Sequence, residues 1–137
     1  MSTTVAVLAT FSLSAGVLQK QADEGMNRLG GAWGLLSTAD ERHTDAGSPD
    51  IRMEVGGRGH VVFKLKQLDV NQGEIRLGCA GKCKTIDLTL SDGRVLLGVY
   101  ELKDDQLTIC FDEAGKPRPA GIAPTGTQWA EKWKRER

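Results

Sequence analysis

The residues with reactive or ligating chemistry are three cysteines, two histidines and a scatter of carboxylates. Cys79 and Cys83 flank the turn Ala80-Gly81-Lys82. Such a pair admits two readings. In an oxidising compartment it predicts a local disulfide closing a short loop. The spacing also falls within the roughly two to four residues that separate paired zinc-binding cysteines. No second cysteine pair and no His-x-His set completes a metal site, so no metal and no cofactor is expected. Cys110, in Thr108-Ile109-Cys110-Phe111, alternates with Leu107, Ile109 and Phe111 and reads as a buried structural thiol.

His43 sits in a polar stretch and His60 beside a glycine-rich turn, so both read as solvated. Gly56-Gly57-Arg58-Gly59 has the composition of an anion-cradling loop. It lacks the strand-to-helix context of one and reads as a hairpin turn. No nucleophile elbow, metalloprotease helix or phosphate-binding loop is present in the sequence. Asp87 and Glu101 lie on neighbouring strands across Ser91-Asp92-Gly93. Asp87 alternates with Ile86 and Leu88 and points to solvent. Glu101 shares parity with Val95, Leu97 and Val99, which makes it the expected polar group inside or at the mouth of the fold. Arg52, Arg76 and Tyr100 are weaker candidates.

These residues need elements to position them. Leu18, Ala22, Met26 and Leu29 recur at helical spacing, and Gly30-Gly31 supplies a stop, so a helix is expected over Val17 to Leu29. From there the pattern turns to period two. Strands are expected at Ala32 to Thr38, Ile51 to Val55, His60 to Val70, Glu74 to Gly78, Lys84 to Leu90, Arg94 to Lys103, Gln106 to Asp112 and Gln128 to Lys134. Asn71-Gln72-Gly73 and Asp104-Asp105 read as turns, and Ala39 to Asp50 and Glu113 to Gly126 as loops. Ser91-Asp92-Gly93 carries the Asp-Gly signature of a tight hairpin.

The chain has 137 residues, enough for one domain with a real core. Eighteen basic residues balance eighteen acidic ones, which argues against a nucleic-acid module. The uncharged run Val5 to Leu18 is too short to span a bilayer, so no transmembrane span is expected. It fits the apolar core of an export signal, with Ser14-Ala15-Gly16 as the cleavage site, although no basic residue precedes it. The organisation read here is therefore an export segment or N-terminal arm over 1–16 and a single barrel domain over 17–137. Export implies a periplasmic or extracellular location; retention of the segment implies the cytoplasm. Eight consecutive antiparallel strands close naturally into an up-and-down barrel. The expected fold is all-β, an eight-stranded antiparallel barrel with a short N-terminal helix.

Two stretches carry a resemblance. Gly31-Ala32-Trp33, after a helix and opening a strand, is similar to the Gly-x-Trp signature of lipocalin-like barrels. The longer block runs from Lys84-Thr85-Ile86-Asp87-Leu88-Thr89 through Leu97-Gly98-Val99-Tyr100-Glu101-Leu102 and Leu107-Thr108-Ile109-Cys110-Phe111 to Gly115-Lys116-Pro117-Arg118-Pro119. It resembles an uncharacterised lipocalin-like domain family abundant in planctomycete bacteria. The resemblance implies a Trp33 plug at the closed barrel end, with Lys132, Lys134 or Arg135 packed over it. It also implies export, but no chemistry. The cysteine-bearing turn departs from the Lys/Pro-rich turn of that family.

An eight-stranded barrel either fills with side chains or holds one small ligand. With seven aromatic residues in the chain, the interior is expected to be mainly aliphatic. The first functional expectation is a binding barrel for a small apolar or amphipathic molecule. Its expected ligand-binding residues are Trp33, Phe63, Leu97, Val99, Glu101, Phe111 and Trp129, with Trp133 as a further core or pocket aromatic. The alternatives are a barrel enzyme such as a cyclase or isomerase built on Glu101, and a packed-core interaction module working through its loops.

Overall fold

The computed structural model describes residues 24–81 and 83–136. The apolar run read as an export segment, and the first part of the expected helix, lie outside the described residues. Residues 24–29 form helix α1. The strands that follow are β1 (Gly31–Ala39), β2 (Thr44–Ala46), β3 (Ile51–Val55), β4 (His60–Leu65), β5 (Leu68–Ala80), β6 (Cys83–Leu90), β7 (Val95–Lys103), β8 (Gln106–Phe111) and β9 (Trp129–Arg135). Each of β3 to β9 pairs antiparallel with its neighbour, β1 pairs with β3, and β1 also pairs with β9. That last pairing closes an eight-stranded antiparallel barrel. The three-residue β2 hangs on the second half of β1, beyond the stretch that β3 uses.

Alternation makes the core. Ile86, Leu88 and Leu90 of β6 point inward, as do Leu107, Ile109 and Phe111 of β8 and Met53 and Val55 of β3. Burying such side chains contributes about 1.5–3 kcal/mol each, which is what drives the sheet to close around them.

Two stretches depart from the expected boundaries. β4 ends at Leu65, and a two-residue turn, Lys66-Gln67, brings Leu68 opposite it. Lys66 adopts a φ of 59° to make this turn. Asn71-Gln72-Gly73, which read as a turn, instead lies inside the 13-residue β5. Gly73 is there for space: a Cβ on it would stand 2.4 Å from the Thr89 carbonyl oxygen of β6. A bulge opposite Phe63 and Lys64 absorbs Val70. The polar loop after β1 contains β2, because Gly47 folds back and donates to the Leu36 carbonyl at 2.7 Å.

One end of the barrel is sealed. Trp33 is fully buried, and its indole N–H donates to the Leu29 carbonyl at 2.9 Å, tying α1 to β1. Of the three basic residues expected near it, Arg135 takes the position. Its guanidinium lies 4.3 Å over the Trp33 ring and donates to the carbonyls of Gly30, at 2.7 Å, and Arg28.

The outer face carries a second, smaller core of Val99, Cys110 and Ala130. Arg118 and the buried Pro119 hold the 112–128 connection against this side of the sheet. Arg118 Nη1 donates to the Gly98 carbonyl at 2.8 Å and stands 2.6 Å from Asp87 Oδ1, an ion-pair contact without hydrogen-bond alignment. Gly98 also leaves room on the inner side of β7, where a Cβ on it would lie 2.7 Å from the Phe111 ring. Asp87, the Gly98 carbonyl and Arg118, distant in sequence, thus meet in one structural latch.

Arg135→Lys tests the sealed end. An ammonium cannot stack flat on the indole while reaching two carbonyls. The variant is expected to lose about 1–3 kcal/mol of stability in a urea melt; an unchanged midpoint would show that the seal contributes nothing.

Candidate functional site

β9 supplies the polar centre of the barrel interior. Its alternation sends Trp129, Glu131 and Trp133 inward, and the register sets Glu131 opposite Ile109 of β8 and Thr38 of β1. Both indoles turn their edges to the carboxyl group. Trp129 Nε1 donates to Oε2 at 3.0 Å and Trp133 Nε1 to Oε1 at 3.1 Å. Phe63 packs on Trp133 with ring centroids 6.4 Å apart, and Phe111 packs on Trp129 at 6.0 Å. The rest of the lumen wall near Glu131 is aliphatic, with Met53, Ile86, Leu107 and Ile109 among its residues.

The void left in the lumen is about 10 Å³, room for a single water. Glu131 is only half-buried by area, yet protein atoms surround it on nearly every side. Burial therefore pushes its pKa above the usual carboxylate range, and the two indole donors oppose that shift without cancelling it. Tyr100, the other titratable group among the core residues, sits toward α1. A Cβ on Gly25 would lie 2.9 Å from its hydroxyl. Burial raises its pKa; Arg28 opposes and Cys79 adds to the shift. Outside, a broad open trough of about 1120 Å³ runs beside α1, lined by charges of both signs, including Arg58, Glu74, Arg76 and Asp87.

The expected site residues divide. Phe63, Phe111 and Trp129 do line the interior, where Phe63 and Trp129 are half-buried. Trp33 is interior too but serves as the plug, remote from Glu131 in the chain of contacts. Leu97, Val99 and Glu101 need correction: they lie on the outer face of β7. Leu96, Tyr100 and Leu102 are the β7 residues of the main core, while Val99 belongs to the outer one and Glu101 is exposed. Period-two reading failed here because the latched connection makes the outer face apolar as well. Arg52 pairs with Glu136, its Nε 2.9 Å from both carboxylate oxygens, and Arg76 is exposed. His60 meets Glu74 at 2.9 Å, and His43 stands 3.7 Å from Asp40, all on the surface.

The disulfide expected between Cys79 and Cys83 is not formed. Cys79 is a free, exposed thiol, and its Sγ donates to the Gly81 carbonyl at 3.3 Å. The ladder sets Cys79 opposite Lys84, and Cys83 opposite Ala80, one step out of register with each other. Among the described residues no three His, Cys, Asp or Glu side chains gather as metal ligands. Cys110 is fully buried, and burial raises its thiol pKa, with Asp112 adding to the effect.

Sequence reasoning passed over Glu131. The signal was the alternation Trp129-Ala130-Glu131-Lys132-Trp133, which puts one carboxylate between two inward tryptophans. Comparison with family models, with curated proteins and with solved structures finds no match to this chain. Among the described residues no helix is long and apolar enough to cross a membrane.

Glu131 predicts a pH dependence with a definite sign. Unfolded, the carboxyl titrates near its ordinary value of 4.5; folded, it holds its proton to higher pH. The stability linked to that proton is fully present below the unfolded value and is lost as pH rises through the folded one. In denaturant melts, wild type should therefore lose stability relative to Glu131→Gln as pH rises from about 4 toward neutral. A pH-independent difference would refute the shift. Thiol chemistry tests the latch. Cys79 should alkylate rapidly without reductant and Cys110 slowly, by peptide-resolved mass spectrometry. Arg118→Ala should speed labelling of Cys110 by about tenfold or more, because about 1.4 kcal/mol lost from the latch is tenfold in local opening.

Proposed function

We propose that this barrel binds a small, largely apolar molecule in its lumen, and that the ligand's polar group meets the Glu131 carboxyl. The observation that carries the reading is a carboxyl group held between two indole donors inside an aliphatic interior. A carboxylate accepts about four hydrogen bonds, and the indoles account for two. A core that only had to be filled would gain by an apolar side chain of similar volume, which avoids the desolvation of a carboxyl group. The sealed end supports a one-mouthed vessel: Trp33 under Arg135 closes the α1 side and fits the lipocalin-like resemblance.

Room for the ligand comes from the mouth. Leu35, Ile51, Phe63 and Trp129 pack on the core there but are only part-buried, so a change of rotamer opens the lumen without disturbing the sheet. Leu65 and Leu68, 48% and 73% exposed at the β4–β5 tip, give that end an apolar rim.

A second reading is favoured by the water-sized void and by the same exposed tip, which Val70 extends. Here the barrel is a filled scaffold that works through its surface. Titration of isotopically labelled protein with 1-hexanol separates the two. Saturable shifts of the Leu107 and Ile109 methyl resonances, with Leu68 and Val70 unmoved, are expected. Shifts confined to Leu68 and Val70 would overturn the lumen site in favour of the surface.

A further inference from the structure

The surroundings of Glu131 narrow the class of ligand, an inference that rests on the lumen reading above. Four of the seven aromatic residues, Phe63, Phe111, Trp129 and Trp133, form two ring pairs joined through the hydrogen bonds to this one carboxyl. Both indoles spend their N–H groups on the carboxyl from the ring edge. Their π faces, and the remaining lone pairs of the carboxyl, are not used in that way.

A carboxyl group beside aromatic faces suits one kind of guest. A desolvated ammonium gains charge-assisted hydrogen bonds from the carboxylate and attraction from the negative faces of the rings. The protein itself provides no such cation among the described lumen residues. The strand neighbours of Glu131 are Thr38 and Ile109. The walls of β3 and β6 present Met53 and Ile86, and Tyr100 of β7 directs its hydroxyl toward α1. Arg135 is committed to Trp33 and to two backbone carbonyls at the sealed end. The lumen thus holds an acid without a base. A neutral guest leaves it so, an anionic guest worsens it, and a cationic guest completes it.

We propose that the lumen selects a small protonated amine with a short apolar tail, its N–H donors on Glu131 and its tail directed toward the mouth between Phe63 and Trp129. The guest enters as the ammonium and is held by the Glu131 carboxylate; a proton held by the carboxyl before binding leaves to solvent as the ammonium docks. No covalent step is involved.

The test compares n-hexylamine, 1-hexanol and hexanoate near neutral pH, with tryptophan emission and calorimetry as readouts. Wild type is expected to bind hexylamine at least about tenfold more tightly than hexanol, with hexanoate weakest, as hydrogen bonds to charged groups outweigh neutral ones. Glu131→Gln keeps an acceptor for the indoles and should bring the amine-to-alcohol ratio close to one. Equal binding of amine and alcohol by wild type overturns the amine inference and leaves the lumen site standing. Saturable binding of none of the three overturns both. The wild-type ratio is decisive even if the variant fails to fold.

Discussion

The pairing of β9 with β1 is the contact on which the rest of the molecule depends. The register shifts once, between Leu35 and Ser37, and otherwise runs without a break from Trp33 opposite Arg135 to Ala39 opposite Ala130. Without it the sheet would have two open edges, and the inward side chains of eight strands would face water on one side. The same pairing delivers Arg135 to Trp33 and Glu131 to the lumen, because residues two apart in sequence share a face and rise together along the barrel. A single strand therefore carries both the seal and the polar centre. Any slip of one position would turn Trp129, Glu131 and Trp133 outward together.

A second layer of organisation lies outside the barrel. Few small barrels need a connection as long as residues 112–128, and here it earns a place by covering Val99, Cys110 and Ala130. Its attachment is polar and local. Asp112 accepts from Thr127 at 2.6 Å, Gln128 accepts from the Thr125 amide at 3.0 Å, and Gly126 donates to Glu41 at 2.9 Å. Arg118 adds the contact to Gly98 and Asp87. Asp87, Gly98 and Arg118 are thus parts of one clasp, and the clasp is structural. The carboxyl of Glu131 lies on the other side of the sheet wall.

Burial of that carboxyl sets the character of the interior. Desolvation favours the neutral acid, while two indole donors favour the anion. Desolvation outweighs the indole donors, so the carboxyl holds its proton to higher pH than a solvated one. Trp33 at the sealed end is fully buried, whereas Phe63 and Trp129 are half-buried.

Much of the architecture was legible in the residues alone. Clean alternation in Ile51–Val55 and Lys84–Leu90 identified strands whose outer faces are polar, and the sum of short strands and turns specified a closed antiparallel barrel. The plug was expected only from the resemblance of Gly31-Ala32-Trp33 to a Gly-x-Trp signature; its burial under Arg135 is a tertiary contact. Other features were decided only by tertiary contact. The inward face of β7 was one, since Val95, Leu97 and Val99 are as apolar as Leu96 and Leu102, and only the latched connection on the outside accounts for it. Gly73 read as a turn because its space requirement comes from Thr89 on another strand. The fate of Cys79 and Cys83 hung on a one-step register that spacing does not reveal. Glu131 is the clearest case. Its position between two tryptophans was written in the sequence, but a carboxylate on a terminal strand is ordinarily solvated. Only closure of β9 against β1 encloses it, and enclosure is what gives it chemistry.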